Sequence, residues 1–291
     1  MSEQDFDVVV IGGGPAGLEA AAVVAAAGLR CVVIDRMGPG GQLMNLGALQ
    51  GLADLAPDAT GPDLLAEIAD RAMTAGAEIA VDDVGALTRN GGRFHLEALD
   101  GRYTATAVIL ATGLTPGTTG LADEARYEGA GLSHCAHCDA PLHAGQPVAV
   151  AGGDAWAIEE AIELAGYASR VTLVIGCRMT ASADRLATLT SLANVTAIEG
   201  RIIGLDGASA LDAIVIDGPA GRTVVPARGL FLQTGRVPAL GLLGGIAEGA
   251  PGLFLAGDVR RDSRYTIADA MASGSEAGHA AVAFVAGSAK G

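Results

Sequence analysis

Apolar positions in this chain fall into short, nearly unbroken runs, and each run leads into a glycine turn. Phe6 to Ile11 (FDVVVI) is followed by Gly12-Gly13-Gly14-Pro15-Ala16-Gly17 and then by an alanine-rich stretch through Ala27 that Gly28 closes. Cys31 to Ile34 (CVVI) ends at Asp35, and Ala107 to Leu110 (AVIL) enters Ala111-Thr112-Gly113. Runs of this kind read as strands covered on both faces, with helices between them. The pattern returns at Pro147 to Ala151 (PVAVA), with Gly152-Gly153-Asp154-Ala155-Trp156-Ala157, a helix through Leu164 and a strand from Val171 to Ile175. Near the C-terminus Leu253 to Ala256 leads into Gly257-Asp258-Val259, and a helical stretch starts at Ile267. The class predicted is α/β.

The length of 291 residues gives room for two domains. Half the residues are hydrophobic but only 3% are aromatic, so the core must close-pack small side chains. A net charge of -15 argues against nucleic acid or an anionic membrane as partner. Leu18 to Ala27, the most apolar helical stretch, carries Glu19 and is too short to span a bilayer. The polar N-terminus does not read as a signal peptide. The four cysteines, Cys31, Cys135, Cys138 and Cys177, suit a cytoplasmic chain with one redox pair better than a secreted disulfide scaffold.

The first turn carries recognisable chemistry. Gly12 permits the tight turn, Gly14 lets backbone approach a pyrophosphate, and Gly17 lets the helix lie close. The helix N-terminus offers unpaired N–H groups to phosphate oxygens. Asp35 stands 23 positions after Gly12, at the end of the second strand, and can accept from a ribose diol. The repeat at Pro147 makes two Rossmann-like dinucleotide-binding folds, the second inserted in the first. The first is expected over 1–116 and 236–291, the second over 117–235. The crossings, Thr115-Pro116-Gly117 and Thr234-Gly235-Arg236, have hinge composition.

Ser133-His134-Cys135-Ala136-His137-Cys138-Asp139 is the second informative segment. A C-x-x-C pair closes a small disulfide ring. A free thiol with a pKa of about 8.5 is only a few per cent thiolate at neutral pH, so the pair needs a helix N-terminus, a histidine or another electron-poor neighbour. Asp139 can move the accompanying proton, and His134 and His137 stand close enough in sequence to serve as carriers. Zinc is an alternative for His134, Cys135, His137, Cys138 and His143, although the spacing is too tight for all to reach one ion and no second C-x-x-C follows. A structural disulfide is another. Cys31, within a buried strand, reads as core.

The order of these motifs resembles the two-dinucleotide-fold flavoproteins. Gly40-Gly41-Gln42-Leu43 and the C-A-x-C-D segment are similar to those of the thioredoxin reductases, over nearly the whole chain. The resemblance implies FAD at Gly12, Gly14, Pro15, Ala16, Gly17, Asp35 and Arg36. It adds Gly41, Gln42, Leu43 and Asn45, then Ala111, Thr112 and Gly113. It further adds Gly257, Asp258, Tyr265, Thr266 and Ile267. It implies that Cys138 faces the flavin, that Cys135 exchanges with the substrate disulfide, that Asp139 is the acid/base, and that the protein is a homodimer; His137 joins the catalytic candidates only as a neighbour of the pair.

Three departures qualify it. The second turn has Asp154 where the family has its second glycine, Trp156 adds bulk, and Gly176-Cys177-Arg178 leaves one basic residue where the family has a cluster. Two like charges at 4 Å cost about 4 kcal/mol at an effective dielectric near 20, nearly three decades of affinity. NADPH binding is therefore in doubt, and without a substitute acidic residue NAD is not favoured. Tyr265-Thr266 replaces an R-Q pair beside the flavin ring. The stretch from Val237 to Phe254 is short for the family's extra strands.

The functional expectation is an FAD-dependent disulfide/dithiol oxidoreductase acting on a thioredoxin-like protein or a small molecule. Alternatives are an NADPH-independent dithiol oxidase using O2, a reductase fed by a protein donor such as ferredoxin, and a non-enzymatic flavin redox sensor.

Overall fold

Val8 to Ile11 lies at the centre of a sheet because both its faces are apolar and both its edges are paired. In the computed structural model, which describes residues 3–46, 49, 59–176 and 179–288, the strand Glu3–Ile11 is flanked in parallel by Cys31–Asp35 and Arg102–Leu110. Glu78–Val81 extends the sheet in parallel beyond Cys31–Asp35, and Leu253–Leu255 adds in parallel to Arg102–Leu110. Arg93–Ala98 and Val84–Asn90 continue it as an antiparallel meander. Glu3–Ile11 starts three residues before the apolar run at Phe6. The extension is made by backbone pairing of Glu3, Gln4 and Asp5 with Arg102, Tyr103 and Thr104, which the hydrophobic pattern does not register.

Among the described residues six α-helices form: α1 Pro15–Ala26, α2 Gly61–Thr74, α3 Ala136–Asp139, α4 Ala155–Ala165, α5 Ala183–Ser191 and α6 Ile267–Ser288. None is long and apolar enough to cross a membrane. The chain divides into two compact units, Met1–Thr115 with Pro238–Gly291, and Pro116–Val237. The second unit has its own parallel sheet, ordered Val195–Glu199, Arg170–Ile175, Pro147–Ala151, Gly229–Leu232, Leu132–Ser133. It also holds an antiparallel sheet of Arg201–Asp206, Ala213–Gly218 and Gly221–Pro226. Among the described residues no strand lies between Pro238 and Leu253.

The contact between α1 and α6 in the first unit is close-packed from alanine and glycine. On α1, Ala16, Ala20, Ala21 and Ala25 are buried, and on α6, Ala270, Ala277 and Ala281. A Cβ added to Gly274 would stand 2.9 Å from the Ala16 carbonyl carbon, and one on Gly278 2.9 Å from the Ala20 carbonyl oxygen. The two helices therefore touch backbone to backbone. At 22 residues α6 runs across α1 and fixes where the turn at Gly12 meets the N-terminus of α6.

A buried carboxylate secures the far side of the sheet. Asp82 accepts from the N–H groups of Asp83 (2.8 Å) and Asp100 (3.0 Å) and from the Tyr103 hydroxyl (3.0 Å). Burial by itself would raise its pKa, but these hydrogen bonds together outweigh it and hold the carboxyl below its ordinary range. Burial, with Asp82 beside it, pushes the Tyr103 phenol up to about 12.

Two outcomes follow from this packing. Gly274→Ala should lower stability by about 1–3 kcal/mol through overpacking, read as a lower urea midpoint at unchanged slope. Asp82 has a folded pKa below its unfolded one, so its contribution is present above about pH 4 and is lost as pH falls through the folded value. Asp82→Asn should cost about 2 kcal/mol at pH 7 and flatten the acid side of the stability profile; an unchanged acid limb would contradict the assignment.

Candidate active site

Cys135 and Cys138 are joined in a disulfide with a Cα separation of 5.4 Å. The chain enters the short helix α3 in an extended conformation at Cys135 (φ -151°), which makes this residue the N-cap. Its Sγ accepts the Cys138 N–H at 3.2 Å. A sulfur that already receives a backbone N–H at a helix start is favoured as thiolate. Cys135 is partly buried and Cys138 is exposed.

Asp139 follows in the same turn. Its Oδ2 accepts the Ser133 hydroxyl at 2.7 Å, and its backbone N–H donates to the Cys135 carbonyl at 3.1 Å. Ser133 also receives the Cys135 N–H at 3.2 Å. His137 is exposed, with its Nδ1 3.1 Å from Glu163 Oε1. His134 meets Glu128 at 3.1 Å, while its Nδ1 is buried without a partner among the described residues.

Three more side chains join this site: Glu160 and Gln233 with no motif to announce them, and His143, which the sequence offered only as a zinc ligand. Glu160 on α4 accepts the Ala136 N–H at 3.2 Å. Burial raises its pKa, and Glu163 adds to this against the Ala136 N–H, Gln233 and Arg236. Gln233, buried at the end of a strand, donates to the His134 carbonyl at 3.3 Å. His143 packs edge-on against Phe231, with ring centroids 5.5 Å apart. Burial lowers its pKa, and Asp139 pulls the other way. The signal for Glu160 and Glu163 is their spacing of three on a helix, which puts both on one face.

The first unit contains a cleft of about 220 Å³. Gly12, Gly14, Pro15, Ala16, Asp35, Gly41, Gln42, Leu43, Ala111, Thr112, Gly113, Gly257, Asp258, Tyr265, Thr266 and Ile267 all line it. Leu46, Leu114 and Ala270 line it too and carry no sequence signal beyond being apolar. Gly17 lies behind it, where a side chain would meet the Gly12 carbonyl. Arg36 is exposed and does not line it, and the Asn45 side chain lies outside the described residues.

The cleft fits a dinucleotide. Gly12 has φ 108°, and a Cβ there would run into Ala111. Gly14 is the N-cap of α1, Pro15 follows at the first helical position, no described side chain caps the helix, and a Cβ on Gly14 would face open space. First-turn N–H groups of α1 are thus free to meet a pyrophosphate. Asp35 accepts from the Gly13 N–H (2.7 Å) and the Met37 N–H (2.9 Å), and each oxygen keeps a lone pair for a ribose hydroxyl. Asp258 is held by the Ser263 hydroxyl at 2.9 Å, and Ser263 in turn receives the Tyr265 N–H at 3.1 Å. Tyr265 adopts φ 55°, a strained conformation for a bulky residue.

The second turn differs in one respect. Asp154 is the N-cap of α4, and its Oδ1 accepts the Ala157 N–H at 2.9 Å. The chain's own carboxylate thus takes one of the first-turn donors that an anion at this helix start would otherwise meet. A cleft of about 410 Å³ lies beside it, lined by Gly152, Gly153, Asp154, Gly200, Arg201 and Gln233 among others. Trp156 does not line this cleft: it is half exposed, with the Arg236 guanidinium 5.7 Å from its ring centre. Trp156 therefore adds no bulk to this cleft, while Asp154 lines it. Cys177 and Arg178 lie outside the described residues.

Residues 6–277 match the family described as Pyridine nucleotide-disulphide oxidoreductase. The thioredoxin reductase of Treponema pallidum is 30% identical over 97% of this chain and 98% of its own length. That of Listeria monocytogenes is 30% identical over 97% of this chain and 95% of its own. The crystal structure of Lactococcus lactis thioredoxin reductase superposes with a TM-score of 0.78 at 25% identity, covering 97% of this chain and 99% of that one. With the disulfide pair of α3 in one unit and the dinucleotide cleft in the other, the chain belongs to the pyridine nucleotide-disulphide oxidoreductases, as an FAD-dependent enzyme of thioredoxin-reductase type.

Proposed function

We propose that the protein exchanges electron pairs between FAD in the cleft of the first unit and the Cys135–Cys138 pair of the second, and passes them on to a disulfide of a thioredoxin-like protein. The observation that carries this reading is the disulfide at the start of α3, with Asp139 anchored beside it by Ser133. The first unit is read as the FAD-binding domain. The second is read as an NADPH-type domain by its fold, with the redox pair built into it. In this reading the enzyme works as a homodimer in the cytoplasm.

Bound FAD supplies or accepts the two electrons. The start of α1 would hold its pyrophosphate, Asp35 a ribose hydroxyl, Asp258 the ribityl chain, and Tyr265, Thr266 and Ile267 would stand near the ring. Opening the disulfide consumes two electrons and at least one proton. Cys138 is assigned as the sulfur facing the flavin and Cys135 as the one that attacks the substrate disulfide. Asp139 gives the proton to the departing sulfur and recovers it on closure. His137, held by Glu163, is assigned no more than a relay to solvent.

The Asp154 cap favours a second reading of the electron source. With the α4 N-terminus satisfied internally and a negative charge where a pyrophosphate would sit, a nicotinamide is a poor donor. A dithiol substrate, or a protein donor of the ferredoxin kind, then takes its place. In the dithiol case O2 is the acceptor and peroxide the product.

Three measurements decide among these. Oxidised protein mixed anaerobically with NADPH, NADH and a dithiol should bleach the flavin with the dithiol alone; rapid bleaching by NADPH would remove the second reading, and peroxide on aeration would select the oxidase. Cys138→Ser should retain FAD while dithiol-driven bleaching slows by about two orders of magnitude or more, and unslowed bleaching would refute its role. Asp154→Gly costs only a few tenths of a kcal/mol as a cap change and should tighten NADPH binding about tenfold or more, read by equilibrium dialysis. Unchanged affinity would clear Asp154 as the obstacle.

A further inference from the structure

Helix α4 reaches the C-x-x-C segment twice. Glu160 accepts the N–H of Ala136, and one turn on Glu163 meets the ring of His137. Both residues between the cysteines are therefore held by carboxylates from one helix face. The two contacts are unequal. The side chains of His137 and Glu163 are 88% and 37% exposed, so that pair is screened and contributes little. Glu160 has one oxygen on the Ala136 N–H, while no donor among the described residues meets its other, buried oxygen, Oε2, with hydrogen-bond geometry: the nearby Gln233 amide, which favours the anion, donates to the His134 carbonyl instead. A buried carboxylate oxygen without a donor is costly as an anion and far less so when it carries a proton.

We propose that Glu160 is a positioning residue of the redox pair that also binds a proton when the pair is reduced, so that the disulfide and the carboxyl titrate as one unit. The proposal rests on the reading of Cys135 and Cys138 as the redox pair. Reduction breaks the S–S bond with two electrons from the flavin and takes one proton, leaving one thiol and one thiolate. The thiolate is a new negative charge next to the peptide that Glu160 holds. A like charge raises the proton affinity of the carboxylate, which takes a second proton from solvent and forms the Oε2–H bond. On reoxidation the S–S bond reforms and both protons leave. Burial already moves Glu160 in this direction, with Glu163 adding to it and the Ala136 N–H, Gln233 and Arg236 opposing. The other titratable groups around the pair are Asp139 on Ser133, His143 within the field of Asp139, His137 on Glu163 and His134 on Glu128.

The test is a redox titration of the flavin-loaded enzyme against a thiol–disulfide buffer between about pH 5.5 and 9, with the dithiol fraction read by thiol labelling. In the wild type the dithiol/disulfide equilibrium should carry, over part of that range, up to a tenfold change per pH unit beyond what the sulfurs require, which is 29.6 mV per unit for a two-electron couple. Glu160→Gln keeps an acceptor for Ala136 and should lose that extra slope, while Glu163→Gln should keep it. An identical slope in Glu160→Gln and wild type would overturn the proposal. Proton uptake by the enzyme on stoichiometric reduction with a dithiol, followed with an indicator dye and corrected for the two protons the dithiol releases on oxidation, gives a readout that does not depend on the Gln variant folding. Uptake near pH 7 above one proton per pair is expected in wild type and in Asp139→Asn. Loss of the excess in Asp139→Asn would assign that proton to Asp139 and overturn the proposal. A wild-type pair that no thiol buffer reduces would overturn the redox reading itself, a different failure.

Discussion

The first N–H groups of a helix have no partner within it, and three helices of this protein settle that deficit differently. At α1 the cap is Gly14, which brings no acceptor, so the donors face the cleft. At α4 the cap is Asp154, whose carboxylate takes the Ala157 N–H. At α3 the cap is Cys135, whose sulfur takes the Cys138 N–H. Two folds of the same design thus present opposite electrostatics: one invites a pyrophosphate and the other supplies its own anion. The third start places a redox sulfur where a negative charge is welcome.

Leaving α1 uncapped is tolerable because the rest of its surroundings are rigid. Alanine and glycine on α1 and α6 bring the two backbones into contact, and a side chain of any size at Gly274 would force them apart. That contact holds the Gly12–Gly17 turn against the segment from Gly257 to Ile267, which supplies the other side of the cleft. This seam of small residues is in this sense a functional choice: small side chains allow the close approach that a thin, extended cofactor site requires. The strained backbone of Tyr265 is the exception, held by the Asp258–Ser263 chain of hydrogen bonds.

Around the disulfide the logic is polar. Ser133, Glu160 and Gln233 come from separate strands and helices, and each fixes a group within a few residues of the cysteines, while His143 packs on Phe231. Burial makes these groups matter: Glu160 is driven towards its neutral form and His143 away from its charged one. A sulfur pair set among such neighbours changes charge at a cost that depends on theirs, so pH and redox state are coupled in the architecture.

Much of this was legible in the residues themselves. The apolar runs at Val8 and Val148, the glycines after them and the C-x-x-C-D segment each encode local geometry, because a tight turn, a helix start and a three-residue spacing are short-range properties. The α/β class and the repeated turn followed from these, and sixteen of the nineteen residues that line the first cleft are among those the family resemblance implied. What the sequence did not disclose was set by contacts between distant segments. The polar start of the first strand depends on a ladder to Arg102–Thr104, and Trp156 leaves the second cleft for Arg236. Glu160 was one of three similar glutamates until packing buried it against Ala136. Sequence alone determined which backbone shapes were possible; only the tertiary structure decided which side chains lost their water, and with it which of them became chemically distinctive, because desolvation is a property of neighbours and not of a residue.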